Sequence, residues 1–296
     1  LLWRLAASTW PYPPGYRRLR TAWGKSVLAD PGRAIGRSIA TTGVFDLAVS
    51  ELLARLIRRD DRVIDAGANI GYMTLLAATC LGESGHVDAF EPHPGIYEVL
   101  CKNLIPIGQD ALSQSVTLHR QALGPAVGTA DLHIPNDFAG NDGVASIAAS
   151  DKSDGVNLPV EVTTLDVVLG MNDVGVLKLD VEGYEEAVLR GAESALTGGR
   201  IRDIVFEDHD AEQSPAIRLL EDAGYDVYSV GWNLHQLVLN PMADHRRNAH
   251  EYEAPSYVAT RDSGALFQRL KRPGWMVLSA RLRDADFCRR FTSGSK

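Results

Sequence analysis

Asp61-Arg62-Val63-Ile64-Asp65-Ala66-Gly67-Ala68-Asn69-Ile70-Gly71-Tyr72-Met73-Thr74 is the stretch on which the fold turns. It reads as strand, tight turn and helix. Val63 and Ile64 end a short apolar strand. Gly67 and Gly71 flank a turn where the backbone must come close to something. Tyr72 to Leu81 is apolar nearly all round, as suits a helix buried against a sheet. Ligands of an open α/β sheet bind in the crevice at the carboxyl ends of its strands, so this turn is the first candidate site.

The motif is Asp-x-Gly-x-x-x-Gly, with Asp65 as its acid, and not the Gly-x-Gly-x-x-Gly of a dinucleotide binder. An acid in the turn would repel a pyrophosphate at a helix N-terminus. It suits a ligand carrying an ammonium and a sulfonium, such as S-adenosylmethionine (SAM). A second acid, Glu91, ends the next strand-like run, His86-Val87-Asp88-Ala89-Phe90-Glu91-Pro92, twenty residues after Gly71. An acid there can bind both ribose hydroxyls.

Four segments carry a resemblance. They are Val63 to Gly71, Phe90-Glu91-Pro92, Leu177-Lys178-Leu179-Asp180-Val181-Glu182-Gly183-Tyr184-Glu185, and Val188-Leu189-Arg190-Gly191-Ala192. Together they resemble the FkbM family of SAM-dependent methyltransferases, over roughly residues 41 to 260. The Asp-x-Gly-Ala-Asn-x-Gly part is shared with many methyltransferases. Its combination with Leu-Asp-Val-Glu-Gly is more specific. The resemblance implies a Rossmann-like class I methyltransferase fold, SAM as cofactor, and methyl transfer to a hydroxyl oxygen of a sugar or of a polyketide- or glycolipid-type natural product. It implies cofactor contacts at Asp65, Gly67, Ala68, Asn69, Gly71, Glu91 and Pro92. Gln121-Ala122-Leu123-Gly124 resembles the family's adenine segment, so Gln121 and Ala122 join that set. Many relatives place an acid beside it, and none follows here in sequence. Gly43 and Phe45 match a Gly and an aromatic often found near the cofactor.

The rest of the chain reads as an α/β alternation. Val49, Leu52, Leu53, Leu56 and Ile57 form one helical face, capped by Asp46 or Ser50. His93 to Leu104 is a helix and Val116 to Ala122 a third strand. Thr129 to Ile134 is an extra strand. Residues 135–158 form a long polar loop around Val144-Ala145-Ser146-Ile147. The family carries a Gly-x-x-Ser in this region, which implies a lid. Val160 to Thr163 alternates like an edge strand, and Leu165 to Leu169 is a short helix. Val174 to Leu179 is the fourth core strand, Gly183 to Leu196 a helix, and Asp203 to Glu207 the fifth strand. Ser214-Pro215 opens a helix. Tyr225 to Val230 and Pro255 to Thr260 are the last strands. The expected fold is a doubly wound seven-stranded sheet with an antiparallel edge strand. The expected units are an arm over 1–40, a methyltransferase domain over 41–262 and a C-terminal extension over 263–296. The extension, with Arg281, Arg283, Arg289 and Arg290, reads as a solvated tail. The arm mixes Trp3, Trp10, Tyr12, Tyr16 and Trp23 with arginines. It suits packing on its own domain, contact with a second copy in a homodimer, or contact with a membrane surface.

Methyl transfer from a sulfonium is an in-line displacement, assisted by a base that takes the acceptor's proton. The fourth and fifth strands deliver Asp180, Glu182, Glu207 and His209 to the expected site. Asp180 also suits the methionine ammonium, and Glu182 also suits a cap of the following helix. His209 or Asp180 is expected to receive the proton, with Glu207 orienting His209 or binding an acceptor hydroxyl. These side chains could ligate Mg²⁺ or Mn²⁺. The successive carboxylates many metal-dependent methyltransferases use are missing, so no metal is expected. Loops 135–158 and 231–250, with the arm, are expected to build the acceptor pocket.

Bulk properties narrow the class. The 296 residues carry a net charge of −8 and 45% hydrophobic side chains, an ordinary globular composition that argues against general affinity for nucleic acid. Cys80, Cys101 and Cys288 form no disulfide or zinc pattern, and a reducing, cytoplasmic location is expected. No apolar run approaches the roughly 18–20 residues of a membrane-spanning helix, and no signal peptide is visible. Two rival readings are a small-molecule N-methyltransferase and a SAM-binding module without catalysis.

Overall fold

The computed structural model describes residues 15–104, 115–136, 146–147, 155–244, 255–279 and 282. In chain order the strands and α-helices are β1 (Arg17–Arg20), β2 (Ser26–Ala29), α1 (Ala34–Thr42), α2 (Leu47–Leu56), β3 (Arg62–Ala66), α3 (Tyr72–Cys80), β4 (His86–Phe90) and α4 (Pro94–Leu104). There follow β5 (Val116–His119), β6 (Ala122–Leu123), β7 (Gly128–Ile134), β8 (Val156–Thr163), α5 (Leu165–Leu169), β9 (Val174–Leu179), α6 (Glu185–Arg190) and α7 (Glu193–Thr197). The last are β10 (Ile201–Glu207), α8 (Pro215–Asp222), β11 (Asp226–Trp232), β12 (Leu237–Pro241), β13 (Ser256–Thr260) and α9 (Ser263–Leu270).

The main sheet has the order β12-β11-β13-β10-β9-β3-β4-β5. β10, β9, β3, β4 and β5 run parallel. Their strands are apolar because both faces are covered, as in Val174–Leu179, where every residue is buried. Helix α3 is buried over almost its whole circumference, as its unbroken apolar run requires. Asp46 caps α2 by accepting the Val49 N–H at 3.0 Å.

The sheet has eight strands rather than the expected seven. The added one is β12, in a segment expected to be an acceptor loop. Asn233 Oδ1 accepts the His235 and Gln236 N–H groups, turning the chain back so that Leu237–Pro241 pairs antiparallel with β11. Pro241 is tolerated because β12 is at the edge. The edge strand β12 is antiparallel to β11, as an antiparallel edge requires, and a second antiparallel strand, β13, lies between β10 and β11.

Other expected elements also change shape. The third strand stops at His119, and Ala122–Leu123 joins a separate sheet of order β6-β8-β7. In that sheet β8 is central, not an edge. The helix expected over Gly183 to Leu196 divides into α6 and α7 at Gly191, where a Cβ would meet the Gly124 carbonyl oxygen at 2.0 Å. The expected solvated tail is instead anchored on the body at points along its described part: Leu266, Met276, Val277 and Leu282 are buried. The described part of the arm also packs on the body. Trp23 is buried and donates to the Tyr72 hydroxyl at 3.3 Å, and Asn103 of α4 bonds both backbone polar groups of Leu28.

Candidate active site

At the carboxyl ends of β3, β4, β9 and β10 lies a cavity of about 540 Å³, within the range of small-molecule sites. The turn after β3 forms its floor. The Gly67 and Ala68 N–H groups donate to the Phe90 carbonyl at 3.1 and 2.9 Å, which pins this turn to the end of β4. Gly67 has φ +74°, and a Cβ on it would meet the Asp180 carbonyl oxygen at 1.8 Å. Glycine is thus required twice over: for the left-handed backbone and for the close approach.

Glu91 closes the adjoining wall. It accepts the Asn69 N–H at 3.0 Å and the His93 N–H at 2.8 Å. Burial raises Glu91 to about 7, against the pull of those two donors and of the Lys178 charge. Asn69 reaches this geometry through a left-handed backbone, φ 50°, with its side-chain oxygen accepting the Ile70 N–H at 2.7 Å.

Lys178 links the turn to the fourth core strand. The register pairs it directly with Asp65. Its ammonium lies 3.2 Å from Asp65 Oδ1 and 3.3 Å from Asp180 Oδ2, and it donates to the Gly67 carbonyl at 2.9 Å. The Asp65 Oδ1 contact is an ion pair without hydrogen-bond alignment, whereas Asp65 Oδ2 accepts the Thr74 hydroxyl at 2.6 Å. Burial alone would lower Lys178; the charges of Asp65 and Asp180 outweigh it and hold the ammonium above its ordinary range.

Of the residues expected from the sequence, Gly67, Ala68, Asn69, Glu91, Pro92, Gln121, Ala122, Asp180, Glu182 and Glu207 line the cavity. Asp65 and Gly71 do not. Asp65 is 2% exposed and stands behind the wall, reaching it through Lys178; Gly71 sits at the N-cap of α3. His209 is exposed and outside the wall, so the expected Glu207–His209 pair gives way to Glu207 alone at the cavity. The chain turns outward after Glu207, where Asp208 accepts the Asp210 N–H and the Ser214 hydroxyl and starts a new helical turn. Glu182 does not cap α6. Glu185 folds back to accept the Val181 and Gly183 N–H groups, and Glu182 stands at φ +53° on the cavity side.

Burial raises Glu207 to about 8, aided by the charges of Asp180, Asp46 and Glu182 and opposed by Lys178. The acid missing in sequence beside Gln121 arrives from β8: Gln121 Nε2 donates to Glu161 at 3.0 Å. The opposite wall comes from α1 and the residues after it, among them Ile35, Ser38, Thr41, Phe45 and Asp46. Among the described residues none between 231 and 244 lines the cavity, contrary to the expected acceptor loop. Of the 135–158 loop, residues 137–145 and 148–154 lie outside the described residues. Ser146 pairs with His133 and donates to the Glu182 carbonyl at 2.7 Å, which sets Ile147 against the cavity. Lys178 and Asp46 are among the lining residues that sequence reasoning did not assign to the site. A lone lysine in an otherwise apolar strand was the available signal for the first.

The methyltransferase FkbM domain matches residues 65–227, more than half of the chain. The chain belongs to this family. Among curated relatives, this FkbM methyltransferase is 31% identical to methyltransferase sdnD of Sordaria araneosa, over 56% of this chain and 73% of that one. It is 30% identical to the 31-O-demethyl-FK506 methyltransferase FkbM of Streptomyces tacrolimicus, over 61% and 81%. It is 26% identical to the hexuronic acid methyltransferase AglP of Haloferax volcanii, over 59% and 67%. The protein is a SAM-dependent methyltransferase with a Rossmann-like fold. Its cavity fits the cofactor chemically: a buried acid suits a diol, and carboxylates suit a cation. Among the described residues no helix is long and apolar enough to cross a membrane, and no three potential ligands group as a metal site.

Proposed function

We propose that this methyltransferase acts on a hydroxyl oxygen of a sugar or of a polyketide- or glycolipid-type small molecule, with Glu207 as general base. The observation that carries the reading is Glu207 itself, a carboxyl on the cavity wall raised to about 8 by burial and neighbouring acids. Once ionised, a carboxylate so destabilised accepts a proton far more readily than an ordinary one. The role expected of His209 therefore passes to Glu207. Two relatives support the acceptor class, since one is named for an O-demethylated natural product and another for a hexuronic acid. The net charge of −8 and the walled cavity favour a small molecule over nucleic acid.

SAM supplies an electrophilic methyl group when bound. The residues around it divide the remaining work. Glu91 would offer carboxylate oxygens to the ribose hydroxyls, Gln121 and Ala122 would border the adenine, and Asp180 would hold the methionine ammonium. Ile35, Phe45 and Ile147 exclude water from the acceptor side. Glu207 would take the acceptor's hydroxyl proton, and Glu182 and Asp46 would hold neighbouring hydroxyls. An amine acceptor needs less help from a base, so the rival N-methyl reading predicts only mild loss in Glu207→Gln.

The test is incubation with SAM and panels of hydroxyl and amine acceptors. The expected product gains one methyl group, assigned to oxygen by its carbon shift in NMR. A methyl group on nitrogen overturns the proposal.

A further inference from the structure

Val174–Leu179 is a strand buried throughout, and Lys178 is the ionisable residue within it. No side chain of an ordinary core strand costs more to bury than an unpaired ammonium, so its partners must justify it. They are Asp65, Asp180 and the Gly67 carbonyl, at 3.2, 3.3 and 2.9 Å. Two of these belong to the turn unit and one to the cavity wall. Lys178 therefore ties the glycine turn to the acid that faces the cofactor. The same two segments approach closely through their backbones, since a Cβ on Gly67 would meet the Asp180 carbonyl oxygen.

The surrounding charges are nearly all of one sign. Asp65 faces Lys178 from β3, Glu91 from the end of β4, Asp180 from the end of its own strand and Glu207 from the end of β10. Glu182 acts on Glu207, Asp180 acts on Glu185, and Asp46 reaches Glu207 from the start of α2. Arg37 on α1 is a second cation of the wall, exposed at its rim and donating to the Gly32 carbonyl.

We propose that Lys178 is a positioning residue of the cofactor site, whose ammonium bridges Asp65 and Asp180 and holds the Gly67 turn in place before the cofactor arrives. Without it, the two carboxylates that flank its ammonium at 3.2 and 3.3 Å would share a proton. Binding a cofactor ammonium at Asp180 would then have to expel that proton. This role belongs to the cofactor side and stands whatever the acceptor is.

The experiment is calorimetric titration with S-adenosylhomocysteine, for wild type and Lys178→Met, near neutral pH in phosphate and in Tris. The difference in heat between buffers counts protons released. Lys178→Met is expected to bind about 10- to 100-fold more weakly, the scale of losing hydrogen bonds to a charged group. It is also expected to release about one proton more than wild type on binding. Affinity close to that of wild type overturns the proposal. So does weaker binding with an unchanged proton count, which would make the lysine merely structural. If Lys178→Met does not fold, Asp65→Asn with Lys178→Met removes the buried pair together. That double variant is expected to fold and to bind without the added proton. An added proton there, or failure to fold, overturns the assignment.

Discussion

Glu51 with Arg55, and Lys178 with Asp65 and Asp180, are both ion clusters set in the interior, yet they are built to different ends. Arg55 and Glu51 are 1% and 0% exposed, and their atoms meet protein on every side described. Glu51 accepts from Arg55 and from the Met276 and Val277 N–H groups. Arg55 donates to the carbonyls of Arg269, Arg272 and Gly274. This cluster is closed: it fastens the C-terminal segment to α2. The Lys178 cluster opens on one side, where Asp180 is 32% exposed toward a cavity lined also by Glu182 and Glu207. Burial alone does not separate structural from functional charge. What separates them is whether the remaining hydrogen-bonding capacity is spent within the protein or left facing a space that a ligand can enter.

The contrast can be broken from either end. The largest effect is expected from Glu207→Gln, which removes the base but keeps the shape. It should lower kcat by about 10²–10⁴-fold and leave the affinity for S-adenosylhomocysteine nearly unchanged, as read by steady-state kinetics and calorimetry. In the closed cluster, Arg55→Met should cost about 3–5 kcal/mol of stability in urea unfolding, because Glu51 is left as an unpaired buried charge. The folded fraction should still bind S-adenosylhomocysteine normally. Near-equal stability of Arg55→Met and wild type would erase the distinction between the clusters.

Smaller effects sharpen the same comparison. Glu91→Ala should weaken SAM binding by about 1.5–3 kcal/mol, the range for hydrogen bonds to a charged group, measured by calorimetry. In wild type the ionised form of Glu91 is the better acceptor for hydroxyls. Affinity should therefore rise as pH passes upward through about 7. A further effect is on stability. Glu91 and Glu207 have folded-state values of about 7 and about 8, above the ordinary 4.5. Their favourable contribution is complete below about 4.5, where both folded and unfolded chains hold the protons. It declines as pH rises from there and is lost above about 8. Thermal melting across this range should show the decline, and Glu207→Gln should flatten its upper part. A melting temperature that climbs between pH 5 and 8 in wild type but not in the variant would contradict the sign.

The strand–turn–helix unit at Asp65 to Thr74, the acid at Glu91, most of the parallel strands and the family were all legible in the chain before any fold was known. These are readable because each depends on neighbours in the chain: apolar runs mark buried strands, and a glycine marks a backbone that side chains cannot follow. The cavity wall also includes residues expected from position alone, such as Asp180 and Glu207, since strand ends converge on one crevice. The tertiary structure alone decided the rest. Lys178 gained its role because parallel register sets it beside Asp65, more than a hundred residues away in sequence. His209 was left outside because the direction of a side chain past a strand end is set by the turn that follows, not by alternation. Asp46 and the α1 face became a wall of the cavity, and Glu161 came to Gln121, through packing between elements that no local pattern records. The interior place of Met276 and Val277 likewise rests on a carboxylate more than two hundred residues earlier. Periodicity encodes which face of an element is buried; it does not encode which distant residue meets that face.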